Sequence, residues 1–157
     1  MARQWTHVDK KEWGPGPWQD EPDKIQWVDT ATDLDCVMVR NEVMGNWCGY
    51  VGVPPGHPLH GKSYEGVDVE VHGGLTFADG CDETAEEGHG ICHIPDPGRP
   101  DDVWWLGFDC AHAWDTMPGF ASRFRSERIA GETTVYRDQT YVTGQCAMLA
   151  QQLKAMS

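Results

Sequence analysis

The chain has 157 residues and a formal net charge of −13, because 25 Asp and Glu residues outweigh 12 Lys and Arg residues. Phosphates are recognised by basic surfaces, so this composition argues against nucleic acid and anionic membranes and favours neutral or cationic partners. The length predicts one domain over residues 1–157. The lack of any apolar run of about 18 residues argues against a membrane-spanning helix, and we expect a cytoplasmic protein.

The first 33 residues are predicted to form an irregular arm. They contain the turn-forming stretches GPGP and DEPD between four tryptophans, which would hold the arm on the domain body, residues 34–157. The body starts with two apolar runs, LDCVMVRNEV and WCGYVGV, on either side of the turn residues MGN. This pattern predicts a β-hairpin.

The stretch VDVEVH, residues 67–72, alternates strictly between apolar and polar side chains. Alternation with period two predicts a strand with its valines facing the core and His72 on the opposite face. Gly73 and Gly74 end or bend this strand before LTFA resumes it. ICHI, residues 91–94, predicts another short strand, and VWWLGFDC, residues 103–110, predicts a central strand.

The C-terminal segment predicts a helix, because its apolar residues recur at steps of three and four. These residues are Val142, Cys146, Leu149, Leu153 and Met156. Asp138 is the expected N-cap. Gly144 predicts a close contact between helix and sheet. The elements together predict an α+β domain, with a mixed or mainly antiparallel sheet of about five to six strands covered by the C-terminal helix.

Three side chains form the first candidate site: His72, Asp109 and His112. Imidazole and carboxylate are ligands for a divalent metal such as zinc, and three such ligands with an open position make a catalytic centre. Asp109 and His112 can share a site only if the chain turns just after Asp109, since alternate strand residues face opposite ways. Asp115 would then orient His112 or act as a base.

A ligand pocket around these side chains would need apolar walls. Trp47, Trp104 and Trp105 are the predicted walls, and the Gly73–Gly74 bend would let a ligand approach the backbone. Gly107 leaves a gap beside Trp105 and Asp109 on one strand face, where a planar ligand group would fit. A valine at position 107 would then abolish binding and leave the fold intact.

The six cysteines are expected to be reduced, as is usual in cytosolic proteins. Four of them lie in apolar surroundings and are predicted to be buried: Cys36, Cys48, Cys110 and Cys146. An alternative metal site is a structural zinc site. Its ligands would be Cys81, His89, Cys92 and His93.

Several stretches resemble a family of small uncharacterised proteins of bacteriophages and bacteria. The stretches are WCGYVGVPPGHPLHG, EVHGGLTFADGC, ICHIPDPG and WWLGFDCAHAWD, and the resemblance covers residues 34–154. It implies a phage-associated protein in the cytoplasm of a bacterial cell or phage host, and it implies no activity. Trp114 is bulkier than the residue expected at this position.

Two hypotheses about function follow. The first is a small hydrolase that activates water at the His/Asp site, with or without a metal, and acts on a neutral or cationic small molecule. The alternative is a non-enzymatic phage accessory protein that binds a host protein or sequesters a small ligand through exposed tryptophans.

Overall fold

The computed structural model describes residues 2–81, 89–123 and 134–157, with the backbone alone for residues 121–123. Its strands are β1 (Arg3–Trp5), β2 (Lys24–Val28), β3 (Asp35–Arg40), β4 (Trp47–Val53), β5 (Phe77–Asp79) and β6 (Trp104–Asp109). Its α-helices are α1 (Pro118–Arg123) and α2 (Gln139–Ala155). The strands form one sheet in the order β1-β2-β3-β4-β6-β5, and every neighbouring pair is antiparallel. The predicted α+β class is confirmed.

One face of the sheet packs against α2. Met38, Val51, Leu106 and Phe108 point from β3, β4 and β6 into this core. The apolar stripe of α2 covers them with its buried residues Val142, Cys146, Leu149, Ala150 and Leu153. None of the helices formed by the described residues has the length and apolar character to cross a membrane.

The predicted N-cap of the C-terminal helix is confirmed. The Asp138 side chain accepts a hydrogen bond from the Tyr141 backbone N–H at 2.8 Å. The predicted role of Gly144 is wrong, because this residue is exposed and a Cβ added there would meet nothing within 4 Å. The close contact between helix and sheet is at Gly49, where a Cβ would lie 2.9 Å from the Cys146 Sγ.

Replacing Gly144 with alanine should therefore stabilise the protein. Alanine costs about 1 kcal/mol less than glycine in an exposed helix interior, since the glycine backbone has more freedom to lose on folding. Urea unfolding should show a higher midpoint with an unchanged slope. A lower midpoint would mean that Gly144 has a packing role.

Two segments depart from the predicted secondary structure. Residues 1–33, expected to be irregular, contribute β1 and β2 to one edge of the sheet. Residues 67–72, expected to be a strand, run extended outside the sheet and are held by glutamine side chains of α2. The Gln152 Oε1 accepts from the Glu70 N–H at 2.7 Å, and the Gln145 Oε1 accepts from the His72 N–H at 2.9 Å. The predicted alternation persists, with Val69 and Val71 packed against the core. ICHI forms no strand.

The gap predicted beside Gly107 is filled by the protein itself. A Cβ at Gly107 would collide with the ring of Tyr50, which comes from the neighbouring strand β4. Trp105, on the same strand face, is completely buried. The prediction that a planar ligand lies in this gap is therefore wrong.

Replacing Gly107 with valine should consequently destabilise the fold, in contrast to the expectation from sequence. Extra methyl groups in a filled site typically cost about 1–3 kcal/mol. Gly80→Val is the matched control, because a Cβ at Gly80 would meet nothing within 4 Å. Equal stability of the two variants in urea unfolding would show that the Tyr50 ring moves aside without a measurable cost in stability.

Candidate functional site

Two segments of the chain converge to form a histidine–aspartate cluster of His72, His112 and Asp115. His72 ends the extended segment beside α2, and the other two residues lie in the turn after β6. One ligand atom from each side chain lies within 4.8 Å of the others. The rings of His72 and His112 meet edge to face with their centroids 5.5 Å apart. The chain does turn just after Asp109, which brings His112 towards His72.

His72 is held at both ring nitrogens. Its Nδ1 lies 2.8 Å from the Tyr141 hydroxyl, and its Nε2 lies 2.9 Å from the Asp115 Oδ2. Only 5% of its side chain is exposed. A buried imidazole with partners on both sides has a fixed orientation, so His72 is a rigid part of the cluster.

Asp115 is the centre of the cluster. Its fully buried carboxylate also accepts from the Arg137 Nε at 3.0 Å and from the His112 backbone N–H at 3.0 Å. Burial opposes ionisation of this carboxyl. The hydrogen bonds from His72, from the His112 backbone and from Arg137 outweigh burial and hold the pKa of Asp115 below its ordinary value. Asp115 is therefore ionised at neutral pH.

His112 is the most accessible member of the cluster, with 21% of its side chain exposed. Its Nδ1 lies 3.2 Å from the Asp115 Oδ2. One face of its ring stacks on Trp114, with centroids 5.0 Å apart and planes 10° from parallel. The edge of the ring lies over Gly73, where a Cβ would collide with it. Gly73 also has a φ of +68°. Both this left-handed backbone conformation and the lack of room for a side chain therefore favour glycine.

Asp109 lies beside the cluster and makes a weaker contact with it. Its Oδ1 is 3.8 Å from the His112 Nδ1, beyond hydrogen-bond distance, and accepts from the Ala111 N–H at 3.2 Å. Its side chain is 34% exposed. The predicted trio of His72, Asp109 and His112 is thus present in space, but Asp115 joins the two imidazoles and Asp109 does not.

The three tryptophans expected to wall this site have other neighbours. Trp47 packs under the Arg40 guanidinium, Trp105 meets the ring of His93 edge-on, and the Trp104 Nε1 donates to the Lys62 carbonyl. The aromatic rings in contact with the cluster belong to Trp114 and Tyr141. Gly73 and Gly74 form the tight turn beside it, in which the Gly74 N–H donates to the Val71 carbonyl.

The four residues predicted to bind a structural zinc do not form one site. Cys81 and Cys92 are joined in a disulfide, so the expectation of reduced thiols is wrong for this pair. His89 contacts Glu42 and the ring of His7. The His93 Nδ1 instead lies 3.2 Å from the Asp101 Oδ1. Disulfides persist mainly in oxidising compartments, so the cytoplasmic location stays a prediction.

The free cysteines are poor nucleophiles. Cys36, Cys110 and Cys146 are buried as predicted, while Cys48 is half-buried. Burial raises the pKa of the Cys48 and Cys146 thiols to about 12, and it also raises the pKa of Cys110, the cysteine closest in sequence to the cluster. A thiol is reactive as the thiolate, so these groups are inert at neutral pH.

Arg137 and Tyr141 complete the site and carry no sequence signal of their own. Arg137 precedes the N-cap of α2, and Tyr141 lies in the first turn of that helix. The Arg137 guanidinium also lies over the Tyr141 ring, 5.0 Å from its centroid. The packing of α2 beside residues 67–72 brings Tyr141 to the cluster, and the β-bridge between Asp115 and Val135 brings Arg137 to it.

Comparisons with family models, with curated proteins and with solved structures find no match for this chain. The resemblance to small phage and bacterial proteins therefore stays a prediction.

Proposed function

We propose that this protein is a small hydrolase in which His112 activates a water molecule. The observation that carries the proposal is the ionised, buried Asp115 carboxylate beside the His112 Nδ1. An anion at this position favours the tautomer with a proton on Nδ1. The lone pair of Nε2 is then available as a general base.

In the proposed reaction, the His112 Nε2 takes a proton from water while the water oxygen attacks a carbonyl carbon. The same nitrogen then returns the proton to the leaving group, so that the imidazole is regenerated. Asp115 stabilises the imidazolium between the two steps, and His72 and Arg137 hold Asp115 in place.

The substrate class follows from the surroundings of His112. The Trp114 ring, which is 51% exposed, offers a flat apolar surface next to the base. The net charge of −13 favours neutral or cationic substrates over anionic ones. The proposed substrate is therefore a neutral or cationic small molecule with a flat apolar group near the bond that breaks.

A divalent metal such as zinc is the second way in which this site would activate water. The observation in its favour is the convergence of His72, His112 and Asp115, three ligands that leave a fourth position for water. Arg137 argues against it, because its guanidinium already holds the carboxylate that the metal needs. We therefore place the metal-free mechanism first.

A non-enzymatic binding role is favoured by the exposed Trp114. Of the tryptophans, it is the one with most of its surface in solvent, and an exposed aromatic ring is a common anchor for a partner. In this alternative, Trp114→Ala would abolish binding of a host protein or small ligand, while His112→Ala would leave it intact.

Hydrolysis of p-nitrophenyl acetate and of arginine p-nitroanilide, a neutral and a cationic probe, tests the proposal. General-base catalysis is worth about 10²–10⁴-fold, so His112→Ala should lower turnover by that factor. His60→Gln is the matched control, since His60 contacts Trp104 and the Asp102 carbonyl, outside the cluster. Equal turnover by the two variants contradicts the role of His112.

A second measurement tests the metal mechanism. If protein purified without a His-tag contains zinc and loses turnover in EDTA, the result favours that mechanism.

A further inference from the structure

A second group of metal-ligating side chains lies outside the histidine–aspartate cluster. It consists of His7, Glu42 and His89, which we call the surface triad. His7 follows β1, Glu42 lies in the turn between β3 and β4, and His89 follows Cys81 in the segment closed by the disulfide. These positions are far apart in sequence, and the fold brings them to one place.

The surface triad converges on one carboxylate oxygen. The His7 Nε2 lies 2.9 Å from the Glu42 Oε1, and the His89 Nδ1 contacts the same oxygen. The two imidazole rings are 4.0 Å apart between centroids and tilted by 54°. One ligand atom from each of the three residues lies within 4.8 Å of the others.

We propose that the surface triad is a zinc site, with the His7 Nε2, the Glu42 Oε1 and the His89 Nδ1 as its ligands. Zinc at bond lengths of about 2.0–2.1 Å holds tetrahedral ligand atoms about 3.3 Å apart, so small shifts of these side chains suffice. Two imidazoles and a carboxylate suit zinc and copper, whereas calcium and magnesium prefer oxygen ligands alone.

The surroundings of the triad favour a metal over other uses of these residues. The side chains are 22%, 50% and 40% exposed for His7, Glu42 and His89, so an ion and its fourth ligand, a water, can reach them from solvent. No Lys or Arg ion pair to Glu42 is found among the described residues, in contrast to Asp115, which is bonded to Arg137.

His7 is already fixed before any metal binds. Its backbone N–H donates to the buried Asp23 carboxylate at 2.8 Å, which holds the start of the segment after β1 in place. A zinc ion would join this fixed point to the β3–β4 turn and to the end of the disulfide-closed segment. The proposed role of the ion is to fasten these three surface segments together.

Zinc titration by isothermal calorimetry, after treatment with EDTA and desalting, tests the proposal on the full chain. The wild-type protein should bind zinc at the triad, and His7→Ala, Glu42→Gln and His89→Ala should each weaken this binding by at least about tenfold. His60→Gln, a histidine outside both clusters, should bind like the wild-type protein. Thermal unfolding of each variant without zinc should stay close to that of the wild-type protein, because ion pairs at the surface contribute little to stability.

The same titration of His112→Ala separates the two clusters. If His112→Ala binds zinc like the wild-type protein while His7→Ala and His89→Ala bind it more weakly, the ion is at the surface triad. If His112→Ala loses the ion and the triad variants keep it, the proposal is overturned, as it is if the wild-type protein binds no zinc. The calorimetric result does not depend on hydrolase activity, so the zinc site and the proposed function are tested independently.

Discussion

Replacing Asp23 with alanine is expected to lower the free energy of unfolding by about 3–5 kcal/mol. Asp23 is completely buried, and its carboxylate is the centre of an ion network that joins the N-terminal segment to β3. The Lys10 Nζ lies 2.6 Å and the Arg40 Nε 2.9 Å from the Asp23 Oδ1. The His7 and Val8 N–H groups donate to the other carboxylate oxygen.

The cost arises from the partners that the substitution leaves behind. Arg40 is 2% exposed and Lys10 is 6% exposed, so neither cation can turn to water when Asp23 is removed. A loss of this size is a large part of the stability of an ordinary domain, about 5–15 kcal/mol. The measurement is urea unfolding at neutral pH, and Asp68→Ala, which removes an exposed carboxylate, is the control.

The effect of Asp23→Ala should shrink in acid. Burial opposes ionisation of Asp23, but the hydrogen bonds from Lys10, Val8 and His7 outweigh it and leave its pKa below the ordinary value. A carboxyl with a lowered folded-state pKa contributes stability above its unfolded pKa of about 3.9 and loses it as pH falls through the folded pKa. The difference between the wild-type protein and Asp23→Ala should therefore narrow below about pH 4. A constant difference down to about pH 2 would show that the carboxylate charge is not responsible.

Replacing Asp115 with asparagine should abolish most of the proposed hydrolase activity, with a loss of about 10²–10⁴-fold in turnover. The amide has the same shape but no charge, so it neither favours the Nδ1–H tautomer of His112 nor stabilises the imidazolium. Asp109→Asn is the matched control, because Asp109 also lies near His112 but 3.8 Å from its Nδ1. Turnover should fall far more in Asp115→Asn than in Asp109→Asn.

Stability must be followed in the same variants. Asp115 accepts hydrogen bonds from Arg137 and from the His112 backbone, so Asp115→Asn should also cost about 1–3 kcal/mol of unfolding free energy. Turnover is compared at a temperature where each variant is folded. If Asp109→Asn reduces turnover as much as Asp115→Asn does, the proposed orienting role of Asp115 is contradicted.

Local patterns predicted the parts of the fold that local rules determine. The spacing of Val142, Cys146, Leu149 and Leu153 predicted α2, and Asp138 predicted its start. The alternation in residues 67–72 correctly predicted that Val69 and Val71 face the core. It could not show that these residues pair with glutamine side chains of α2 instead of a strand, since that partner lies about 80 positions away.

The candidate site was predicted in part for the same reason. His72 and His112 were singled out because imidazole and carboxylate side chains together are potential metal ligands, and both histidines lie near the predicted ends of strands. The choice between Asp109 and Asp115 depends on how tightly the turn closes, which the spacing alone does not fix. Tyr141 reaches the site through the packing of α2, and Arg137 reaches it through the bridge between Asp115 and Val135, which are 20 positions apart. The tryptophan walls were wrong because Trp47 and Trp105 are needed in the interior.

In the proposed site, an ionised Asp115 holds His112 with its proton on Nδ1, so that its Nε2 can accept one. Long-range ¹H–¹⁵N NMR correlation of the histidine rings at neutral pH tests it directly and requires no substrate. We expect a protonated Nδ1 and an unprotonated Nε2 for His112, and loss of this preference in Asp115→Asn. A His112 ring with its proton on Nε2 in the wild-type protein would contradict the proposed role of Asp115.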